Sequence, residues 1–488
     1  MTDHPHDTPA PAMNRPAERP PGWRWRRLIV LGVLGVALFF ASLLGVDQYR
    51  SHVAEQELQD AIAEADRLDP GWRIDELQSK RAGVPAKVDS VVYIDKAGRA
   101  GVTILNTGTN RQDLIDARTG LENNELIFSP IVRLTGLQTA ALRAALKPQA
   151  APLADARKIA DLPKGRCSVF TTLDITLDIF YGYADLSYPG TVVWLLGNEA
   201  LLRIEDGDAD EAWVCCRAIL NTARCVGDEP DIWAQNFRRY CGAEAIRFME
   251  RTLAQGHVAE KELAQPQGLL QEELKHPGLL IGLRGERAHL HSFLTRVEAG
   301  RISAGKMKLY AEGKYGAPGI QDEVQGYLAR HEVKPAHAWL LRHLTHAVEI
   351  TKQSGSDTDS ALRKLHTTVG DAPPWARKLA LTFDRIAYHT KYRPICGCAC
   401  AGLAAERYRL QHDRWPETLA DLVAEGMLDE VPTDPYDGKP LRYRTTRDGI
   451  VIYSVGPNGE GRGDALDGDV RNVKDDRLEF RLWDTERR

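Results

Sequence analysis

Basic charge is not in excess in this sequence: 63 Lys and Arg stand against 68 Asp and Glu, for a net charge of −5. Phosphate neutralisation needs clustered cations, so a nucleic-acid binder working through a broad basic surface is excluded. Cysteine is sparse, eight in 488 residues, which excludes a disulfide-dense miniprotein. Long apolar runs are rare too, and a mean hydropathy of −0.36 excludes a polytopic membrane protein. G-x-S-x-G, Walker A and H-E-x-x-H do not occur in a fitting context. Gly459-x-Gly461-x-Gly463 follows an expected strand but opens no helix, so it is not a phosphate loop. What is there is ordinary: 43% apolar and 27% charged residues, the balance of a globular protein. At 488 residues the chain exceeds what one core usually organises, so two or three folded units are expected.

One segment departs from these averages. Residues 28–46 (LIVLGVLGVALFFASLLGV) contain no charge and are long enough to cross a bilayer as a helix. Trp23, Arg24, Trp25, Arg26 and Arg27 precede them, and Asp47, Arg50, Glu55, Glu57 and Asp60 follow. Basic flanks stay in the cytoplasm and Trp suits the headgroup boundary, which places the N-terminus inside and the bulk of the chain exported, in the cytoplasmic (inner) membrane. The run is longer than a typical signal-peptide core and no A-x-A-like site follows it, so an uncleaved anchor is expected. The tail, residues 1–27, carries Pro at 5, 9, 11, 16, 20 and 21 and reads as disordered. Its five Arg and three acids give it +2, leaving −7 for the exported part.

Beyond the anchor the expected fold class is mostly α. Residues 47–150 form a membrane-proximal helical region, opened by a helix over 47–68 that Pro70-Gly71 stops. Within it 88–105 is ambiguous between helix and strand, whereas 134–146 is helical. Residues 151–393 read as an irregular helical domain. Its apolar-periodic runs cover 192–203, 210–224, 232–255, 336–352 and 375–391, with a shorter one at 260–274 interrupted by Pro266. Pro189-Gly190 is the clearest turn signal, and no 34-residue repeat period is present.

Several motifs invite chemistry. Asp206-x-Asp208-x-Asp210 imitates an EF-hand, but positions six and twelve are Glu211 and Arg217 rather than Gly and Glu, so the loop is an acidic turn into a helix. His337, His343, His346 and Glu349 lie on one expected helix, and the last three share a face that could hold a metal. Glu286, His289 and His291 in RGERAHLH form a weaker set. Cys396, Cys398 and Cys400 alternate, which is not zinc spacing, and Cys225 with Cys241 is a candidate disulfide. No catalytic nucleophile is paired with a base, and the chain is read as non-enzymatic.

Residues 394–488 change texture. A small-residue helix (395–411) is followed by a short helix over 414–422 with Pro416 in its first turn. Strands are expected at 441–446 and 450–455 around the hairpin signal Arg447-Asp448-Gly449, with another at 478–483. In order along this stretch stand Tyr408, Trp415-Pro416, Leu419, Asp434-Pro435, Gly438-Lys439-Pro440, Tyr443 and Tyr453-Ser454-x-Gly456. With that ordered set, the region resembles the C-terminal domain of the major pseudopilin of bacterial type II secretion, the general secretion pathway protein G family. The resemblance implies a small α+β domain with an antiparallel sheet and a calcium-binding last loop. Asp464, Asp467, Asp469, Ser454 and Asn458 would supply oxygens to that ion, as hard Ca²⁺ requires; the other reading is a solvated acidic loop. Unlike a pseudopilin, this chain inserts some 350 residues between anchor and domain and has no Glu in its apolar run. The middle, with DPGWR, EDGDADEAW and RGERA, resembles uncharacterised bacterial single-pass membrane proteins, which implies no activity.

The expectation is therefore a single-pass envelope protein with a scaffold or binding role. It contacts the lipid bilayer through 28–46 and protein partners through its exported part, and it does not bind nucleic acid. The alternatives are an accessory component of a type II secretion or pilus-like system, and a metal-dependent hydrolase housed in the helical domain.

Overall fold

The computed structural model describes residues 22–107, 129–167, 182–312, 317–328, 330–353, 358–380, 382–457, 459 and 478–484. Two compact units make up the chain, Met1–Glu57 and Leu58–Arg488. Helix α1 (Gly22–Leu68) supplies the described part of the first and opens the second. In the first unit none of the surface of its most apolar window is buried, and the helix is long and apolar enough to cross a membrane. Leu28, Leu38 and Phe39 are 62%, 70% and 62% exposed. The Ser42 hydroxyl donates to the Leu38 carbonyl one turn back at 2.8 Å.

The second unit is mostly helical with a small antiparallel sheet near its end. After α1 come α2 (Ile74–Ser79), α3 (Val91–Thr107), α4 (Gly136–Leu146) and α5 (Ala150–Arg157). Of the longer helices, α6 (Gly182–Glu205), α7 (Ala209–Arg224) and α8 (Ile232–Gln255) pack in succession, and α9 (Glu260–Lys275) packs on the helix Thr382–His412. The stretch 88–105, ambiguous in sequence, is helical as α3, because burial of Ile94 and Ala97 follows a helical stripe. The turn expected at Pro189-Gly190 does not form: Pro189 lies inside α6, and α9 likewise runs through Pro266. Leu186, Val192, Leu195 and Leu196 on one side, and Leu263, Leu269 and Leu270 on the other helix, are buried on both sides of each proline. That burial outweighs the lost backbone hydrogen bond.

Helices α10 (Gly278–Glu298), α11 (Ala304–Ala311), α12 (Ile320–Leu328), α13 (Val333–Lys352), α14 (Thr358–Thr367) and α15 (Pro374–Leu379) follow. Around α10 and α13 they close a core of their own, with Leu283, Leu294, Leu340, Leu344 and Trp375 inside. The single run expected at 375–391 is divided between α15 and α16 (Thr382–His412). The change of texture at residue 394 falls within α16, which continues through it. The short helix α17 (Leu419–Ala424) starts later than expected: Thr418 caps it, its N–H donating to Asp421 at 2.8 Å, and Pro416 lies outside.

Strands β1 (Arg442–Thr446), β2 (Gly449–Tyr453) and β3 (Glu479–Trp483) are ordered β1-β2-β3, all antiparallel, with Thr446 opposite Gly449 across the two-residue turn. The sheet has no core separate from the helices. Ile450, Ile452, Phe480 and Leu482 belong to the same buried cluster as Leu195, Trp213, Met249, Leu270 and Leu403. Gly402 on α16 admits Phe480: a Cβ there would lie 2.3 Å from its ring. At the outer edge of β3 the Arg481 N–H donates to the buried carboxylate of Glu250 on α8 at 2.9 Å, which satisfies a donor the sheet leaves open.

Candidate functional site

Of the five expected calcium ligands, Asn458, Asp464, Asp467 and Asp469 lie outside the described residues. Ser454 is described, and its hydroxyl is already engaged. It donates to Asp434 Oδ1 at 2.9 Å and accepts the Gly456 N–H at 3.1 Å. The organising group here is Asp434, fully buried just before β1. Its other oxygen accepts the Val455 N–H at 2.8 Å, Oδ1 also takes the Tyr436 N–H at 3.1 Å, and its own N–H donates to the Lys439 carbonyl at 2.8 Å. One carboxylate thus ties the loop before the sheet to the loop after β2. The other residues of the ordered motif also have structural partners. Trp415 Nε1 donates to Asp484 at 2.8 Å, and the Tyr443 hydroxyl donates to the Pro416 carbonyl at 2.6 Å. Asp434 stood in the sequence motif, but its role needed the fold to be seen.

The densest polar region of the second unit lies along α10, on RGERAHLH (284–291). Asp69, 5% exposed after the end of α1, pairs with Arg284 (Nε–Oδ2 3.0 Å), Arg287 and Lys352 (3.1 Å). Arg287 is wholly buried and its guanidinium stacks over Trp72, 5.0 Å from the ring centroid. Burial pushes the Asp69 carboxyl up, but the hydrogen bonds and charges of Arg284 and Arg287 outweigh it and hold the group below the ordinary carboxylate range.

One and a half turns along α10, His291 meets His337 of α13: Nδ1 and Nε2 are 2.9 Å apart, and His337 Nδ1 reaches Glu298 Oε1 at 2.7 Å. The carboxylate accepts from Nδ1–H, so His337 Nε2 is the acceptor and His291 Nδ1–H the donor. The chain Glu298–His337–His291 therefore has one proton arrangement and ends against the Trp72 ring, 4.9 Å away edge-on. Burial first, then the neighbouring His337 ring and the Arg73 charge, pull the His291 pKa down to about 4, which keeps the His291 imidazole neutral. Chemically the set is a carboxylate-oriented imidazole pair that fixes tautomers and packing.

The α13 face that could hold a metal carries packed or surface side chains instead. His343 is buried and stacks on Trp339 at 4.3 Å, His346 is exposed, and Glu349 pairs with Lys352 at 2.7 Å. His337 of that set pairs with a histidine across the helix pair rather than along its own helix. Among the described residues no three His, Cys, Asp or Glu are arranged to hold a metal. A second buried charge hub, Glu273 on α9, takes two hydrogen bonds from Arg238 (2.9 and 2.6 Å) and one from Arg224 (2.6 Å). It had no signal in the sequence. Cys396, Cys398 and Cys400 are buried and direct their thiols to the carbonyls of Leu270, Leu478 and Gln267. Cys225 does not contact Cys241; its sulfur neighbour is Cys167, at 2.7 Å.

Comparison with family models, with curated proteins and with solved structures finds no match for this chain.

Proposed function

We propose that the chain is a single-pass envelope protein with a scaffold or binding role: residues 28–46 anchor it in the cytoplasmic membrane, the N-terminus stays inside, and the unit Leu58–Arg488 is exported. The observation that carries this reading is the unburied apolar helix, whose exposed Leu, Val and Phe side chains would be costly in water and cost nothing in lipid. The non-enzymatic part of the reading is supported by the polar centres. Asp69, Glu273 and Asp434 each spend their oxygens on partners within the protein, as structural carboxylates do.

An accessory role in a secretion or pilus-like machine is the second reading, favoured by the ordered motif of the last 95 residues, in which Trp415, Tyr443 and Asp434 tie the sheet and its flanking loops together. Calcium binding by the loop of Asp464, Asp467 and Asp469 belongs to that reading. The full chain in detergent should melt several degrees higher in millimolar calcium than in chelator, and equal melting temperatures would remove the ion from the proposal.

Side and partner are tested together on intact spheroplasts. External protease should digest the unit Leu58–Arg488 while an N-terminal tag stays protected, and crosslinking before lysis should capture envelope proteins. Protection of the large unit would overturn the export, and capture of secretion components would promote the second reading.

A further inference from the structure

The chain from Pro163 to Cys167 is clamped across the C-terminal end of α7, where Cys225 caps the helix. Four hydrogen bonds hold it there. The Ser90 N–H donates to the Lys164 carbonyl at 2.9 Å and the Arg166 N–H to Asp89 Oδ1 at 3.3 Å. Arg224 Nε donates to the Pro163 carbonyl at 3.2 Å, and the Cys167 N–H donates to the carbonyl of Cys225 itself at 2.8 Å. Gly165 permits the approach, because a Cβ at that position would lie 2.9 Å from Cys225 Cβ and 2.3 Å from Ser90 Oγ. With backbones tied in this way, the sulfurs of Cys167 and Cys225 face each other at 2.7 Å, both buried and 58 residues apart in the chain. Of the six other described thiols, three point at backbone carbonyls and Cys216 faces the Thr252 hydroxyl at 3.8 Å, while Cys215 and Cys241 are buried.

We propose that Cys167 and Cys225 are joined by an intramolecular disulfide in the mature protein. The juxtaposition stands on the fold alone; the supply of oxidant rests on the export proposed above, since disulfides persist outside the cytoplasm. The oxidant is an external disulfide, RSSR. One cysteine thiolate attacks it and releases RSH, giving a mixed disulfide. The second thiolate then attacks the first cysteine's sulfur and releases the other RSH. Two protein thiols are oxidised, one external disulfide is reduced to two thiols, and the two protein protons end on the leaving thiolates. Burial pushes the Cys225 thiol well above its ordinary pKa, so exchange in the folded protein proceeds through local opening of the segment that covers it. The bond would close a loop of 58 residues, shrink the unfolded ensemble and fasten the segment 163–167 to the end of α7.

Trypsin makes the test direct, because Cys167 and Cys225 each follow an arginine, and Arg238 and Arg239 separate Cys225 from Cys241. The full-length protein is taken from membranes with thiols blocked under denaturing conditions, digested without reductant and analysed by mass spectrometry. In parallel, reduced full-length protein in detergent is incubated with oxidised glutathione. The expected result is one reducible pair of peptides, beginning at Cys167 and Cys225, in both samples, with the remaining cysteines alkylated. The pair in the glutathione sample alone supports the juxtaposition and overturns the export. Two alkylated thiols in both samples, or Cys225 bridged to Cys241, overturns the proposal. Cys167→Ser should melt a few degrees below the oxidised wild type and lose all sensitivity of its melting temperature to reductant; a reductant-insensitive wild type would also count against the bond.

Discussion

Apolar residues are used in two opposite ways along this chain. Across residues 28–46 they face outward, with Leu34 and Leu44 still 56% and 69% exposed, and they touch no protein core. Within Leu58–Arg488 comparable side chains vanish from the surface: Leu195, Leu196, Leu270 and Leu403 are completely buried. The same chemistry thus answers to two solvents. A helix that is apolar all round suits lipid or a deep core, whereas a striped helix needs one neighbour, and the period of the stripe distinguishes them.

The sharpest way to break this comparison is to truncate one side chain in each region. Phe480→Ala empties the space beside Gly402 where sheet and helices share their core, and should cost about 3–5 kcal/mol. Chemical denaturation should show the loss in the helical signal as a whole, because no boundary insulates the sheet. Leu34→Ala should leave that transition where it is. A separate, early-melting sheet in Phe480→Ala would contradict the shared core.

The interior's charges sharpen the contrast next. Asp69→Asn leaves the wholly buried Arg287 without its carboxylate and should cost about 3 kcal/mol, readable as a shifted denaturation midpoint. Because the Asp69 pKa is depressed in the fold, its contribution is fully present above the unfolded carboxylate range and disappears as pH falls through the folded value. The variant should therefore lose most at neutral pH and converge on the wild type in strong acid.

Histidines give the smallest effect and a separate pH window. Burial lowers His276, His289, His291 and His343 from 6.5 to about 4. Between those values the unfolded chain binds protons that the fold refuses, so stability falls as pH drops from 6.5 towards 4. Thermal melts should show that slope in the wild type, and His276→Gln combined with His291→Gln should flatten it. An unchanged slope would mean that these imidazoles titrate freely in the fold.

Much of the architecture was legible in the residues. The apolar N-terminal helix, the helix Ile232–Gln255, the hairpin around Arg447-Asp448 and the last strand are local signals, set by periodicity and turn chemistry. The misjudged points were non-local. Pro189 and Pro266 read as breaks because their cost is local while the packing that overcomes it comes from other helices. The texture change at 394 falls inside a helix, and the buried cluster that joins Leu195 and Met249 to Ile450 and Phe480 extends on both sides of it. The candidate sites divide in the same manner. His343, His346 and Glu349 share a helical face yet find different surroundings. His291, His337 and Glu298, from two helices, meet because α10 and α13 pack against each other.

The central claim, that residues 28–46 serve lipid while Leu58–Arg488 folds on its own core, is tested most directly by fractionating cells that produce either the full chain or one lacking 28–46. The full chain should stay in the membrane pellet through an alkaline wash, and the shortened chain should be soluble, with the helical signal and cooperative melt of the large unit intact. A full chain released by the wash, or a shortened chain that remains in the membrane or fails to fold, would contradict the account.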